Sequence, residues 1–463
     1  MRLTLAAVHA RSGAAFGLSV SGEPRGPACG MGVCHDCRVT IDGERELACL
    51  MPHEPPPADA TAAPGEERCD VVVVGGGAAG LAAARAAEAA GADVLLLDEH
   101  AALGGPIYRA VANPWQPPAR VRRGARVIAA LPDGLLAEDR AGALIVRHRA
   151  MVIATGSREL LLPFPGWTLP GVFGAGGLQL LAKGGWPVAG KRVVVAGTGP
   201  LLRAAAVGLR QLGARVIAIA ELAPRARVAG FGLRLVAYPG KLAQAAALSA
   251  RLIGVPVWYE SFVRRVHGTT AAARVTVDIA GRERTVDCDL VAVGFGLVPN
   301  LELAELLGCA VERGRVVVDP HGATSVPGVY AAGEVTGIGG VDKAIVEGAI
   351  AGAAAAGQRP AARLVRRRRR ALAFGDALAA CFPPPADWAR VVDDDTIVCR
   401  CEDVRWGALR TAHDLRAARL HARAGMGACQ GRICGTALAV LRGFTRGAVR
   451  PPLTPTRLET LTR

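Results

Sequence analysis

The chain of 463 residues is long enough for about three domains, and 51% of its residues are apolar. No apolar run reaches the roughly 18 residues that a membrane span needs, so no transmembrane segment is expected. The net charge of +15 comes almost wholly from Arg, with Lys only at positions 183, 191, 241 and 343, and without interleaved aromatic residues it does not predict a nucleic-acid partner.

Twelve cysteines occur in the chain, and their grouping predicts the compartment. Eight form two compact quartets, and four stand alone at positions 69, 288, 309 and 381. His9 and Arg11 interrupt the apolar stretch that a secretory signal would need. Grouped thiols without an export signal are typical of metal or cluster ligation in a reducing compartment. We therefore expect a cytoplasmic protein, either free or at the inner face of the cell membrane.

The first quartet lies in "PACGMGVCHDCRVTIDGERELAC" and consists of Cys29, Cys34, Cys37 and Cys49. Its CxxxxCxxC spacing matches the first three ligands of plant-type [2Fe–2S] clusters. The fourth cysteine follows across a predicted hairpin with an Asp-Gly turn. A structural zinc site is the alternative, but zinc quartets usually consist of two closely spaced pairs. The spacing favours a [2Fe–2S] cluster.

After a Pro- and Ala-rich segment, residues 70–99 predict a strand, a glycine turn, an Ala-rich helix and a second strand that ends in acids. This βαβ order is typical of a dinucleotide site. Gly75 would make the tight turn, Gly77 would admit a pyrophosphate and Gly80 would allow close helix packing. Asp98 is placed for a ribose hydroxyl. An ordinary α/β core with a glycine turn is the alternative.

Three further segments indicate which dinucleotide binds: "LGGPIYR" at 103–109, "AMVIATGSRE" at 150–159 and "GVYAAGEVTGIGG" at 328–340. With them the chain resembles flavoproteins that have two dinucleotide-binding domains. The resemblance implies FAD, with ATG at the domain crossover and Glu334 at the ribityl chain, where much of that family has Asp. The expected FAD-binding residues are Gly75, Gly77, Ala78, Ala79, Gly80, Asp98, Glu99, Gly104, Gly105, Arg109, Val127, Ala154, Thr155, Gly156, Gly333 and Glu334.

A second glycine turn lies in residues 190–221. It has Gly197 and Gly199, but Leu202 stands where the third glycine is usual and would hold the helix away from the strand. Glu221 is placed for a ribose, so NAD or ATP at residues 197–221 is one expectation. A retained fold with a weakened or lost nucleotide site is the other, and the leucine favours it.

An Arg-rich helical connector follows, with "RRRRR" at 366–370. The run predicts either a solvated helix face or a patch for an acidic or phosphate-bearing partner. The segment "RPPLTPTRLETLTR" is expected to be a tail that lies on a neighbour.

The second quartet, Cys399, Cys401, Cys429 and Cys434, has the spacing CxC and then CxxxxC. It resembles the bacterioferritin-associated ferredoxin module, a small helical domain that binds [2Fe–2S], although that module usually has CxxC as its second pair. Small residues in "GMGACQGRIC" would let a helix N-terminus approach the thiolates. Zinc is again the alternative.

Together, "SGEPRGPACGMGVCHDCRVTIDG", "PFPGWTLPGVFGAGG", "GEVTGIGG" and "CRCEDV" resemble a narrower family. This is the FAD and iron–sulfur subunit of heteromeric amine and imino-acid dehydrogenases, the group of opine oxidase, hydrogen cyanide synthase, D-hydroxyproline dehydrogenase and the sarcosine oxidase α subunit. The implied fold class is α/β. It is a two-dinucleotide-domain flavoprotein fold flanked by a truncated β-grasp [2Fe–2S] domain, whose leading hairpin is missing, and a C-terminal small helical [2Fe–2S] module.

The expected domains follow the motifs along the chain. They are a ferredoxin-like domain at 1–55, a linker at 56–68, an FAD-binding domain at 69–165 and 283–352, a second nucleotide domain at 166–282, a helical connector at 353–394, a second [2Fe–2S] domain at 395–445 and a tail at 446–463.

The resemblance implies an electron-transferring oxidoreductase subunit in a hetero-oligomer. An amino acid, imino acid or opine would be oxidised in a partner β subunit similar to D-amino-acid oxidase, and electrons would pass through FAD and two [2Fe–2S] clusters to a respiratory acceptor. No catalytic acid or base is expected in this chain. The alternative is a self-contained NAD(P)H-dependent FAD and iron–sulfur reductase. A dithiol reductase is not expected, since no CxxC or CxxxxC pair lies near either glycine turn.

Overall fold

The computed structural model of the chain describes residues 3–12, 16–41, 43–53, 65–108 and 115–462. Within these ranges, four short 3-10 helices lie at Leu235–Ala237, Gly333–Thr336, Trp388–Val391 and Gly407–Leu409. The α-helices of the described residues are α1 (Leu5–Arg11), α2 (Ala78–Ala89), α3 (Gly105–Tyr108), α4 (Ala175–Lys183), α5 (Pro200–Gln211), α6 (Arg225–Arg234), α7 (Pro239–Ala250), α8 (Glu302–Leu306), α9 (Val341–Ala355), α10 (Ala362–Cys381), α11 (Leu415–Ala422), α12 (Cys434–Arg442) and α13 (Leu458–Leu461).

The strands of the described residues are β1 (Gly17–Leu18), β2 (Pro24–Arg25), β3 (Arg38–Ile41), β4 (Glu44–Leu47), β5 (Gly65–Val74), β6 (Val94–Asp98), β7 (Arg120–Arg123), β8 (Arg126–Leu131), β9 (Gly134–Asp139), β10 (Gly142–Ile153), β11 (Ser157–Glu159), β12 (Val172–Gly174), β13 (Arg192–Gly197), β14 (Arg215–Glu221), β15 (Val257–Tyr259), β16 (Ser261–His267), β17 (Arg274–Ile279), β18 (Arg282–Asp287), β19 (Leu290–Gly294), β20 (Leu297–Pro299), β21 (Val311–Glu312), β22 (Arg315–Val316), β23 (Val329–Ala331), β24 (Ile397–Cys399) and β25 (Val404–Arg405).

The chain forms two compact units, each built from three stretches of sequence. Unit 1 comprises Met1–Cys49, Glu159–Gly296 and Ala377–Gly447, and unit 2 comprises Leu50–Arg158, Leu297–Asp376 and Ala448–Arg463. Unit 1 therefore contains both cysteine quartets and the second glycine turn, whereas unit 2 contains the first glycine turn.

The sheet of unit 2 has seven strands, in the order β7-β6-β5-β10-β9-β8, with β23 also paired to β10. Strands β5, β6, β7, β10 and β23 run parallel to their neighbours, while β9 is antiparallel to the first half of β10. The run Val71–Val74 in β5 is buried on both faces, as a central parallel strand requires. The carboxyl ends of these strands meet at one edge, where ligands bind in sheets of this type.

Helices α2 and α9 pack against each other over this sheet with their backbones in contact. A β-carbon at Gly348 would collide with the carbonyl oxygen of Ala79, and one at Gly352 would collide with that of Ala83. Both glycines lie inside α9, where glycine costs helix stability. The close approach of the two helices is therefore the reason why glycine occurs there.

The C-terminal tail packs on unit 2 of the same chain. The N–H of Leu453 donates to the carbonyl oxygen of Ile128 at 2.9 Å, and Leu453 is buried in a hydrophobic core of unit 2. The N–H of Arg457 donates to Glu138 at 3.1 Å. The tail therefore packs within its own unit, and a contact with any other neighbour stays a prediction.

Unit 1 is centred on a five-stranded parallel sheet, in the order β12-β19-β13-β14-β15. A three-stranded antiparallel sheet, β16-β17-β18, belongs to the same unit. Three cysteines of the first quartet precede the hairpin β3-β4 and the fourth, Cys49, follows it, while the second quartet lies among β24, β25, α11 and α12. Asp414 caps α11 by accepting the N–H of Ala417 at 2.6 Å. Within the described ranges no helix has both the length and the apolar character to cross a membrane.

The contact between α2 and α9 predicts opposite effects for two Gly→Ala substitutions in helices. Gly352→Ala should lower the free energy of unfolding by about 1–3 kcal/mol through overpacking. Gly230→Ala in α6, where a β-carbon would meet nothing within 4 Å, should raise it by about 0.5–1 kcal/mol. Thermal or denaturant unfolding measures both, and a stabilising Gly352→Ala would contradict the close packing.

Candidate functional site

The first glycine turn lies at the carboxyl end of β5, in unit 2. Gly75 has a φ of +108°, and a β-carbon there would collide with the carbonyl oxygen of Ala154. A β-carbon at Gly80 would collide with the carbonyl oxygen of Gly75. Helix α2 begins after Gly77 without a side-chain cap, and backbone N–H groups at a helix start favour phosphate. The turn therefore brings together the elements that a dinucleotide site needs.

A second glycine segment meets this turn. The N–H of Gly104 donates to the carbonyl oxygen of Gly76 at 2.8 Å. A β-carbon at Gly105 would lie 3.2 Å from the Cα atom of Gly77. The two segments form a cradle of backbone atoms. Side chains at these glycine positions would fill the cradle, so their absence fits the close approach of a pyrophosphate.

Asp98 is the last residue of β6 and Glu99 follows it, and the environments of these two acids differ. Buried Asp98 accepts the N–H of Gly76 at 2.6 Å and the N–H of His100 at 2.7 Å. Burial raises the pKa of Asp98, but the hydrogen bonds from His100 and Gly76 outweigh it and hold the pKa below its usual value. Glu99 is exposed at the end of the strand. Asp98 therefore holds the glycine turn, and the contact of Asp98 or of exposed Glu99 with a ribose stays a prediction.

The other expected FAD residues occupy different positions. Ala78 and Ala79 are the first residues of α2 and are buried. Val127 lies in β8 and packs on the hydrophobic core of unit 2. Arg109 lies outside the described residues.

The ATG segment after β10 is held by Asn300, which the sequence analysis missed. The Thr155 hydroxyl donates to the carbonyl oxygen of Asn300 at 2.8 Å, and the Asn300 amide donates back to the carbonyl oxygen of Thr155 at 2.8 Å. The N–H of Asn300 also donates to the carbonyl oxygen of Gly156 at 3.0 Å. No spacing in the sequence links residues so far apart, so only the fold reveals this pairing.

Glu334 follows β23, close to the glycine turn. A β-carbon at Gly333 would lie 2.7 Å from the Cβ atom of Ala79. The Glu334 carboxylate accepts the N–H of Gly340 at 2.7 Å and the N–H of Gly339 at 3.3 Å, just before α9. Burial raises the pKa of Glu334. The carboxylate thus orders the start of α9, and its contact with a ribityl chain stays a prediction.

A buried charged network lies beside Glu334, and the sequence analysis missed it as well. The ammonium of Lys343 donates to the carbonyl oxygen of Gly333 at 2.7 Å, to Thr336 at 2.8 Å and to Glu347 at 2.7 Å. Burial raises the pKa of Glu347, but Lys343 outweighs it and the pKa lies below its usual value. Arg368, from the arginine run, donates to Glu347 at 3.0 Å, whereas residues 366, 367, 369 and 370 are exposed.

The second glycine turn, in unit 1, repeats this arrangement with one difference. Glu221 accepts the N–H of Gly199 at 3.1 Å and the N–H of Ala223 at 2.9 Å, as Asp98 does in unit 2. Burial raises the pKa of Glu221. The next residue is Leu222, where the first turn has Glu99. Unit 1 therefore has an apolar residue beside its strand-end acid, and the predicted contact of Glu221 with a ribose stays a prediction.

Leu202 and Phe382 occupy the space around this second turn. Leu202 is fully buried, and a β-carbon at Gly294 would lie 3.2 Å from it, so β19 accommodates the leucine with a glycine. The Phe382 side chain lies 3.5 Å from the position that a β-carbon on Gly199 would take, and its ring packs against Phe231 with centroids 5.2 Å apart. Phe382 therefore lies beside the glycine of this second turn.

The first quartet forms two thiol pairs in unit 1. The sulfur atoms of Cys29 and Cys34 are 3.4 Å apart, and Cys37 is hydrogen-bonded to Cys49. Three backbone N–H groups of the loop point at the Cys29 sulfur at 3.3–3.4 Å. Such N–H groups stabilise a thiolate. The arrangement fits a cluster in which each of two irons takes two thiolates.

The second quartet is also arranged as two thiol pairs. Cys399 is hydrogen-bonded to Cys434, and Cys401 to Cys429. The hydrogen bond from Cys401 lowers the pKa of Cys429 to about 6, against the effect of burial. The N–H of Gly425 lies 3.5 Å from the Cys399 sulfur. This donor set likewise fits a two-iron cluster, and all twelve cysteines of the chain are free thiols.

Comparisons with known proteins identify the family. Residues 69–358 match the family described as pyridine nucleotide-disulphide oxidoreductase, and residues 4–56 match the 2Fe-2S iron-sulfur cluster binding domain. Hydrogen cyanide synthase subunit HcnB from Pseudomonas aeruginosa is 32% identical over 401 residues, which cover 74% of this chain and 86% of that protein. The chain belongs to the pyridine nucleotide-disulphide oxidoreductase family. An opine oxidase subunit from Rhizobium meliloti is also 32% identical, over 80% of this chain and 93% of that protein.

The solved structures show that this family member has a known fold. The crystal structure of L-proline dehydrogenase from P. horikoshii superposes with a TM-score of 0.69 at 18% identity, over 99% of this chain and 94% of that chain. The predicted α/β flavoprotein fold with an N-terminal [2Fe–2S] domain is therefore confirmed. The predicted resemblance to the FAD and iron–sulfur subunits of this group is confirmed too.

The environments of the two β6 acids predict distinct effects on FAD binding. Glu99→Gln should weaken FAD binding about tenfold to hundredfold without changing stability, since one hydrogen bond to a charged acceptor contributes about 1.5–3 kcal/mol. Asp98→Asn should lower stability as well. The Asp98 carboxylate accepts the N–H groups of Gly76 and His100, and the asparagine NH2 group cannot accept either of them. FAD titration and thermal unfolding measure these effects, with exposed Glu312→Gln as control. Equal FAD affinity in Glu99→Gln and wild type would contradict the assignment.

Proposed function

We propose that this chain is the electron-transferring subunit of a multi-subunit dehydrogenase that oxidises an amino acid, an imino acid or an opine. Its relatives from hydrogen cyanide synthase and opine oxidase are each named as a subunit of a larger enzyme. One observation carries the proposal: both cysteine quartets lie in the same compact unit, and each consists of two thiol pairs.

The residues of this chain would place and insulate the redox groups. FAD and [2Fe–2S] clusters, when bound, supply two-electron and one-electron transfer respectively. The backbone of Gly75–Gly77 and Gly104–Gly105 would hold the FAD pyrophosphate, and Glu99 would hold its ribose. The quartet of Cys29, Cys34, Cys37 and Cys49 would hold one cluster, and that of Cys399, Cys401, Cys429 and Cys434 would hold the other. We assign no catalytic acid or base to this chain.

Substrate oxidation is assigned to a partner. We propose a flavin-containing β subunit similar to D-amino-acid oxidase as that partner, and a respiratory carrier as the electron acceptor, in the cytoplasm or at the inner face of the cell membrane. The names of the relatives support a hetero-oligomer. The family resemblance supports the amine class of substrate.

The alternative, a self-contained NAD(P)H-dependent reductase, requires nicotinamide binding at the second glycine turn. Phe382 lies beside Gly199 there, Leu202 stands where the third glycine is usual, and an apolar residue, Leu222, follows Glu221. We therefore propose that unit 1 keeps the nucleotide-binding fold without binding a dinucleotide, and that electrons reach the chain from a partner subunit.

Cofactor content is the first test of this function. The full chain, purified anaerobically alone and together with the product of its neighbouring gene, should contain about four irons, about four acid-labile sulfides and one FAD. EPR spectra after reduction should show two distinct clusters. Zinc in place of iron would make the chain a flavoprotein with structural metal sites and would refute the electron-carrier function.

The source of electrons is a separate prediction. NADH should not bleach the bound flavin, whereas dithionite should, which shows that the flavin is competent. In the complex with the partner, an amino-acid or imino-acid substrate should bleach it. Stoichiometric bleaching by NADH, followed in an anaerobic spectrophotometer, would instead favour the self-contained reductase.

A further inference from the structure

Arg400 is a buried charged residue with no role in the function proposed above. It lies between Cys399 and Cys401 of the second quartet, and only 3% of its surface is exposed. Its Nε donates to the Asp36 carboxylate at 2.9 Å. Its two terminal nitrogens donate to the carbonyl oxygens of Trp167 at 3.0 Å and Gly26 at 3.3 Å. The guanidinium is therefore hydrogen-bonded in three directions inside unit 1.

Trp167 completes the surroundings of this arginine. The guanidinium lies over the indole ring, 5.0 Å from its centroid, and the indole N–H donates to the carbonyl oxygen of Ile397 at 2.6 Å. Trp167 comes from the segment "PFPGWTLPGVFGAGG", and Ile397 begins the strand that carries Cys399. The tryptophan thus fixes the position of the arginine relative to the second quartet.

Asp36, the partner of this arginine, lies between two ligands of the first quartet, Cys34 and Cys37. The ion pair therefore joins the two cysteine loops directly. Arg400 interacts electrostatically with Cys34 of the first quartet and with Cys401 of the second. Asp36 in turn interacts electrostatically with Cys429 of the second quartet.

A second ion pair joins the same two loops, and here the arginine comes from the first quartet's module and the aspartate from the second's. Arg25, near the first quartet and 6% exposed, pairs with Asp403, two residues after Cys401. The N–H of Ser21 donates to the same carboxylate at 3.0 Å. Each module therefore contributes one arginine and one aspartate to the contact. Reciprocal pairs of this kind fix both the distance and the relative orientation of the two loops.

Such buried ion pairs are costly unless every donor and acceptor is satisfied. Well-packed apolar residues often give equal or greater stability at such positions. Stability alone therefore does not account for a buried arginine and aspartate set between cluster ligands. Their position between the cysteines suggests that they act electrostatically on the clusters that the cysteines would hold.

We propose that Arg400 and Asp36 form a shared positioning and tuning pair, which holds the two cluster loops in electron-transfer contact and sets the reduction potentials of both clusters. The proposal rests on the proposed function, because it requires a [2Fe–2S] cluster in each quartet. It concerns how one electron passes from one cluster, which is oxidised, to the other, which is reduced, with no further reactant.

The sign of the effect follows from charge. A reduced cluster carries one more negative charge, so a nearby cation favours the reduced state and raises the potential, and a nearby anion lowers it. Arg400→Gln leaves the Asp36 carboxylate unpaired and should lower the potentials of both clusters. Asp36→Asn leaves the guanidinium unpaired and should raise both potentials. The double variant, neutral at both positions, should lie between the two single variants.

The experiment is an EPR-monitored redox titration of the full chain, purified anaerobically, after iron and sulfide content and thermal unfolding have been measured for each variant. Arg423→Gln is the matched control, since Arg423 pairs with Glu402 beside the same CxC segment but is 66% exposed. It should leave the potential of the N-terminal cluster unchanged. Arg400→Lys, which keeps the charge, serves if the glutamine variant fails to fold, and its potentials should stay near those of wild type.

The low-temperature EPR spectrum of the fully reduced chain is a second readout. Two clusters held by adjacent loops should show spin–spin broadening in wild type, and Arg400→Gln should reduce it. Shifts of opposite sign in the two single variants, seen at both clusters, support the proposal, since a purely structural role would not produce them. Shifts confined to one cluster, or of the same sign in both variants, would overturn it while the electron-carrier function stands. Zinc or empty quartets in wild type would overturn both.

Discussion

Both units depend on the approach of one backbone segment to another at glycine. In unit 2 the turn at Gly75 lies against the end of β10, and α9 lies against α2 through Gly348 and Gly352. In unit 1 a β-carbon at Gly177 would lie 2.5 Å from the carbonyl oxygen of Cys29, and one at Gly427 would collide with Cys401. Because no side chain separates these segments, the cofactor cradle and both cysteine loops are built from main chain. This is why small side chains and N–H groups surround every expected redox group.

The two glycine turns share one arrangement and differ in few residues. Asp98 and Glu221 have the same structural role. Each carboxylate accepts a hydrogen bond from the N–H of a glycine in the turn and from the N–H two residues after itself. The difference lies in the next residue and in what lies beside the turn. Unit 2 leaves an exposed acid, Glu99, whereas unit 1 has an apolar residue and the ring of Phe382 beside Gly199. The same fold thus occurs twice, and in unit 1 it shares a compact unit with both cysteine modules.

Buried charge in this chain is concentrated beside the expected cofactors. The Lys343 and Glu347 pair lies under the Gly333 segment, and Arg400 with Asp36 lies between the cysteine loops. Burial of either charge alone would be strongly unfavourable, because an unpaired ion loses its hydration without compensation. Each is therefore fully hydrogen-bonded, and each makes the local electrostatic potential a fixed property of the fold. A redox protein benefits from this, because neighbouring charge shifts the energy of electron transfer.

The sequence by itself determined the local features whose spacing is short: the turn at Gly75 with its flanking strands, the two cysteine quartets and the family to which they point. It also suggested that the turn with Leu202 was weakened. It did not determine which of Asp98 and Glu99 is exposed. Both are acids at the end of the same strand, and only the fold decides which side chain faces solvent. It did not determine where the tail packs, whereas the fold buries Leu453 in its own unit. Pairs such as Asn300 with Thr155 and Arg400 with Asp36 were decided by tertiary structure alone, since hundreds of residues separate some of these partners and only chain packing brings them together.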